Sequence, residues 1–150
     1  NSIVRDYIVS LCKELDAMGV DEILLNGMRM PETEGVTYAY SSTTSATPTP
    51  QTVISGFAIS VTRTLKSMNA NLSVQVGSAK AMQSVDGVTG QSAPLFFKIF
   101  DRVYRTSSAD TAGDEQKAVK SMIELGELKY RYVPIVYDAL PGTTCWMKLN

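Results

Sequence analysis

The sequence predicts an α/β fold in which helices alternate with parallel strands, a partial (β/α) barrel of four to five strands. Three observations carry this reading. Segments with apolar residues at three- and four-residue intervals alternate with short apolar runs of strand length. Glycines punctuate the junctions. Strict helix–strand alternation calls for right-handed crossovers and hence a parallel sheet. An open three-layer α/β sheet is the alternative closure. A complete barrel typically takes about 250 residues, so these 150 supply roughly half of one.

The first helix is marked by Ile3, Val4, Tyr7, Ile8, Leu11, Leu15 and Met18, with Gly19 placed to end it. Asp21 to Asn26 contains an apolar run that fits a buried strand. Between Ser41 and Pro50 the chain is almost wholly Ser, Thr, Pro and Ala, a composition that buries little and predicts a solvated loop, with a lid over the active face as the functional alternative. Thr52 is positioned to cap a second helix carrying Val53, Ile54, Phe57, Val61, Leu65 and Met68. Leu72 to Val76 reads as the next strand, closed by Gly77, followed by a Gly- and Ser-containing loop to Gly90. Pro94 suits the first turn of a short helix through Phe97, and Ile99 to Tyr104 reads as the third strand. Asp114 is expected to cap a long helix with Ala118, Val119, Met122 and Leu125, ended by Gly126. Tyr132 to Tyr137 is a fourth strand and Thr144 to Leu149 a fifth. The chain reads as one domain over 1–150, and its start at Asn1 predicts an excised or processed segment of a longer chain.

Composition narrows the function. Hydrophobic residues make up 44% and charged residues 19%, an ordinary globular balance. Net charge is −1 and no basic run occurs, which argues against nucleic acid or an anionic membrane as partner. No segment approaches the roughly 18 apolar residues of a membrane span. There is no histidine; Ser-His-Asp and Cys-His catalysis and the usual His ligands of catalytic zinc are excluded, so acid–base chemistry falls to carboxylates, Tyr or Lys. Cys12 and Cys145 lack metal spacing and read as buried thiols. No Gly-x-Gly-x-x-Gly or Walker-type loop follows a strand. No cofactor or metal is expected.

The segment Asp21-Glu22-Ile23-Leu24-Leu25-Asn26-Gly27-Met28-Arg29-Met30-Pro31 resembles a strand motif of bacterial glycoside-hydrolase-like (TIM-barrel) proteins, approximately D-E-I-Q-F-D-Y-I-R-F-P. There the preceding helix ends in L-G-F or L-G-V, where this chain has Met18-Gly19-Val20. Asp21, Glu22, Ile23, Arg29 and Pro31 agree in identity and spacing. Leu72 to Gly77, Phe100 to Tyr104, and Arg131 to Asp138 are similar to later strands of that family. The resemblance implies the C-terminal half of a TIM barrel, a polysaccharide or cell-wall glycan as partner, and an extracellular or cell-envelope location. Two family acids are replaced, by Asn26 and by Gln75, whereas Asp138 is retained.

Glycoside hydrolysis usually needs two carboxylates at the C-terminal ends of barrel strands. The carboxylates available for catalysis there are Asp138 and, from the first loop, Glu32 and Glu34. Residues expected to bind substrate are Asn26, Arg29, Gln75, Tyr104, Arg105 and Tyr137; for the tyrosines, and for Trp146, core packing is the competing fate. Arg29 has a structural ion pair as its alternative role. Asp21 and Glu22 precede their strand and belong to the stability face, and Asp101 reads as structural. An amide can bond a sugar hydroxyl but cannot serve as proton donor or carboxylate nucleophile. The expected function is therefore a degenerate, glycan-binding member; an active hydrolase using loop or strand-end carboxylates and a non-catalytic assembly module are the alternatives. A half barrel leaves open edges, which a missing N-terminal half or a second copy would cover.

Overall fold

A computed structural model describes residues 2–32, 48–124, 126–136 and 147–148. Helix α1 (Ser2–Ala17) is followed by Gly19 at φ +82°, a backbone state that suits glycine, and then by β1 (Glu22–Leu25). Helix α2 (Pro50–Thr64) starts before the expected cap: the Thr49 hydroxyl accepts from the Thr52 N–H at 3.2 Å, so Thr52 is the capped residue and Thr49 the cap. Pro50 opens the helix at no cost because the first turn has no use for its missing N–H. Strand β2 (Asn71–Val76) is followed by α3 (Ala79–Gln83), a helix within the stretch read as loop and capped by the Ser78 hydroxyl on Ala81 N–H.

Helix α4 (Ala93–Ile99) extends past Phe97, and β3 (Arg102–Thr106) starts later than expected. Ile99 and Phe100 belong to the end of the helix, because Phe100 N–H still bonds to Phe96 at 2.9 Å. Helix α5 (Ala109–Val119) is capped by Ser108, not Asp114, which lies inside it and pairs with Lys117 at 2.9 Å. Met122 lies beyond its end. A short α6 (Leu128–Arg131) leads directly into β4 (Tyr132–Val136), and β5 (Met147–Lys148) completes the set. The expectations for Glu34, Leu125, Tyr137, Asp138, Cys145, Trp146 and the loop from Ser41 to Thr47 fall outside the described residues.

The sheet has the sequential order β1-β2-β3-β4-β5, and every adjacent pair is parallel. The registers Leu25↔Val74, Val74↔Val103 and Val103↔Tyr132 align one row of side chains across four strands, with Ile23 and Leu72 on the same face. That row, with Val76, packs with Ile54, Ala58, Val61, Met82, Phe96 and Phe97 from the helices into one core. Val74, Val76 and Val103 are fully buried, and each such side chain contributes roughly 1.5–3 kcal/mol. On the opposite row, Glu22, Ser73, Gln75, Arg102, Tyr104 and Thr106, Arg102 donates to the Tyr130 carbonyl of α6 at 3.1 Å and Tyr104 clusters with Val133 and Ile135. Among the described residues the sequential parallel strands, with one core built against the helices, fit a partial barrel or an open sheet.

Helix α1 turns a different face inward than its apolar spacing predicts. Cys12 is buried and Ile8, Val9 and Leu15 pack on the core, but Ile3, Val4, Tyr7, Leu11 and Met18 are exposed. The Asp16 carboxylate fixes this rotation by accepting from the N–H groups of Asn69 and Ala70 at 2.9 and 2.8 Å.

Candidate functional site

At the C-terminal ends of β1, β2 and β3 lies a cleft of about 210 Å³, lined by Asn26, Gly27, Arg29, Gln75, Val76, Gly77, Arg105 and Thr106. Gly27 takes φ +81°, turning the chain after β1 so that Arg29 faces back over the strand ends. The Arg29 guanidinium lies against Gly77, where a Cβ would come within 2.6 Å of Nη1. Its carboxylate neighbour is Glu32 at 3.8 Å, both side chains being about half exposed. Gln75 donates from Nε2 to the Thr106 hydroxyl at 3.1 Å, across β2 and β3.

Arg105 closes the cleft from the helix side. Its Nη1 donates to the Gly77 carbonyl at 2.8 Å and its Nε to Glu115 at 3.1 Å. Glu115 is buried and also accepts from the Tyr132 hydroxyl at 3.3 Å. Burial, with Glu115 second, pushes the Tyr132 phenol well above its ordinary pKa.

Behind the cleft sits Gln91, fully buried and with its whole amide engaged. Its Oε1 accepts from Gly77 N–H at 2.8 Å, and its Nε2 donates to the carbonyls of Met28 and Gln75 at 3.1 and 3.0 Å. One side chain thus fastens the ends of β1 and β2 together. Asp86, also buried, organises the loop that presents Gln91: it accepts from the Ser78 hydroxyl at 2.6 Å and the Val88 N–H at 3.0 Å. The Ser78 bond chiefly, with the Val88 and Thr89 groups, holds its carboxyl below the usual range against the opposing effect of burial.

The structure therefore brings Asn26, Arg29, Gln75 and Arg105 into one cleft, with Glu32 beside Arg29. Tyr104 lies elsewhere, buried on the opposite face of the sheet, where its hydroxyl donates to Glu22 at 3.0 Å. Glu22 also takes Arg102 at 2.6 Å and the Ser73 hydroxyl, so this carboxylate is held in a network between strands. Asp101 accepts from Leu72 N–H at 2.7 Å, a structural bond. Asp138, Glu34 and Tyr137 lie outside the described residues. Sequence reasoning marked Gly77 only as a strand end and passed over Asp86 and Gln91, whose roles arise from contacts with distant strand ends.

A larger concavity of about 500 Å³, including Lys98, Asp101, Arg102, Glu127 and Arg131, sits at the opposite ends of the strands. There Arg131 closes α4 by donating to the carbonyls of Phe97 and Phe100. In β/α barrels chemistry belongs to the C-terminal ends and stability to the other, so the smaller cleft is the candidate site. Among the described residues no cluster of three or more His, Cys, Asp or Glu is placed to hold a metal. Nor is any helix there long and apolar enough to cross a membrane.

The described residues thus form a parallel β/α sheet with a polar cleft at the C-terminal ends of its first three strands. The chain belongs to the family described as "Putative glycosyl hydrolase domain", whose model matches residues 1–105 and so includes every lining residue of the cleft except Thr106. No curated protein matches the chain. Among solved structures it is similar to the glycoside hydrolase domain of PgaB (BpsB) from Bordetella bronchiseptica, at 14% identity and a TM-score of 0.37. That match covers 57% of this chain and 27% of the other, so the chain spans little more than a quarter of that structure's length.

Proposed function

We propose that this domain binds a polysaccharide or cell-wall glycan at the strand-end cleft without hydrolysing it. The observation that carries the reading is the chemistry of the lining: two amides, two guanidinium groups, a hydroxyl and backbone, with no carboxylate among the described lining residues. Hydrolysis usually needs a carboxylic acid to protonate the leaving oxygen and a second carboxylate on the other side of the bond. Asn26 and Gln75 occupy strand-end positions but can only donate and accept hydrogen bonds. Glu32 reaches the cleft only through its exposed pairing with Arg29.

The test is a glycan panel assayed for both binding and cleavage. Binding without turnover is expected, with loss of binding in Asn26→Ala. Cleavage by the unaltered protein, abolished by Asp138→Asn or Glu32→Gln, would overturn the non-hydrolytic reading in favour of an active hydrolase. Gain of cleavage in Asn26→Asp would identify the asparagine as the lesion.

A second reading, assembly, is supported by the α1 stripe of Ile3, Val4, Tyr7 and Leu11, whose exposure ranges from 39% to 74%. Apolar surface of this kind favours burial against a partner; the reading takes a second copy of the chain as that partner. Light scattering of the chain should show self-association that Tyr7→Asp with Leu11→Asp abolishes. A monomer at all concentrations would overturn it.

A further inference from the structure

Resting on the reading of the cleft as a glycan site, we infer that the sugar residue it takes is a monoanion. The charge of the lining decides this. Arg105 is already matched: its partner Glu115 is 3.1 Å away, and the two side chains are only 12% and 4% exposed. Arg29 is not matched in the same way. Glu32 stands 3.8 Å off, with side chains 44% and 52% exposed, and exposed pairs of this kind contribute only about 0–1 kcal/mol. No Asp or Glu is among the described lining residues, and the ion pair that the described structure gives Arg29, to Glu32, is long and exposed.

That group is aimed by the backbone. Gly77 leaves the space that Arg29 occupies, and the turn at Gly27 brings the chain back over the strand ends. A guanidinium offers parallel N–H groups that fit a planar carboxylate or a phosphodiester oxygen pair, and charge-assisted bonds of this type are about twice as strong as neutral ones. Asn26 stands beside it and can bond a ring hydroxyl. At about 210 Å³ the cleft is smaller than the roughly 300–1,000 Å³ of pockets for drug-sized ligands, which fits a single sugar residue. An anionic residue supplies what a neutral one cannot, a counter-charge closer to Arg29 than Glu32 stands. A uronic acid and a sugar phosphodiester both meet this requirement.

The experiment is calorimetric titration of the protein with oligogalacturonate, its carboxyl-reduced neutral counterpart and a glycerol-phosphate polymer. An anionic ligand should bind at least about tenfold more tightly than the neutral oligomer at low ionic strength, and added salt should weaken only the anionic interaction. Arg29→Gln should erase the difference while leaving the melting temperature unchanged. Stronger binding of the glycerol-phosphate polymer would assign the phosphodiester, and stronger binding of oligogalacturonate the carboxylate. Equal affinity for the neutral oligomer would overturn the anionic inference and leave the glycan reading standing. A preference that survives Arg29→Gln would overturn it for this cleft. No binding of any glycan, charged or neutral, would overturn both.

Discussion

The Arg29 guanidinium rests against the Cα of Gly77, close enough that a methyl group there would stand 2.6 Å from Nη1. Gly77 is exposed and its φ is not in the left-handed region, so alanine is tolerated by the backbone and the flexible end of Arg29 must yield instead. Gly77→Ala should change stability by no more than about 0.5 kcal/mol, the usual scale for surface positions. It should weaken oligogalacturonate binding in the same direction as Arg29→Gln. A thermal melt paired with a titration separates the two effects.

Gly90 presents the opposite case. It holds φ +77°, and a Cβ would stand 2.3 Å from the Pro50 carbonyl oxygen, which is backbone and cannot swing away. Strain at a left-handed position is of order 1–3 kcal/mol before any clash. Gly90→Ala should therefore cost at least about 2 kcal/mol in chemical denaturation and loosen the contact between the start of α2 and the loop before α4.

Two buried phenols make stability fall in alkali. Burial first, then Glu115, raises Tyr132; burial first, then Glu22, raises Tyr104. Below about pH 10, the ordinary tyrosine value, folded and unfolded chains both keep these protons. Above it the unfolded chain releases them first, so folding stability declines as pH rises toward the folded-state values. Urea unfolding at stepped pH should show this decline, and Tyr132→Phe should make it shallower.

Asp86 works in the other direction. Its carboxyl is lowered, chiefly by the Ser78 hydroxyl, so its contribution is present above the ordinary value of about 3.9 and is lost as pH falls through the folded-state value. Asp86→Asn should be less stable than the parent at pH 7, with the gap closing in acid. A gap that stays constant down to low pH would show that the charge is not what matters.

The sheet was legible in the sequence because buried parallel strands write short apolar runs, and β1, β2 and β4 fall within a residue or two of their expected limits. The start of β3 was not. Ile99 and Phe100 end a helix that stops just short of the strand, and an apolar pair beside Asp101 and Arg102 reads equally well as the last turn of a helix or the first residues of a strand. Helix α5 was misplaced for a related reason: Ser108 and Asp114 are both competent caps, and the alanine- and glycine-containing turn between them carries no apolar rhythm. In α1 the periodicity located the helix but not its buried side, which Asp16 and the neighbouring turn determine. At the cleft, strand-end position singles out Asn26 and Gln75 and the motif Arg29, and the structure places these three on one lining. Gln91 stayed hidden because nothing local distinguishes a glutamine that reaches a second strand end from one that faces water.

Gln91 has a consequence for how the cleft meets a ligand. Because one amide is bonded to Met28, Gln75 and Gly77 at once, the ends of β1 and β2 cannot part or slide without breaking bonds in a site from which water is excluded. The backbone spacing of the two strand ends is thus set during folding, and under the proposed function this frame would lose little entropy on taking a sugar. Under the same reading this stiffness would limit tolerance: a ligand too wide for the gap could not widen it, and selection by size would come from the frame, independently of any charge that lines it.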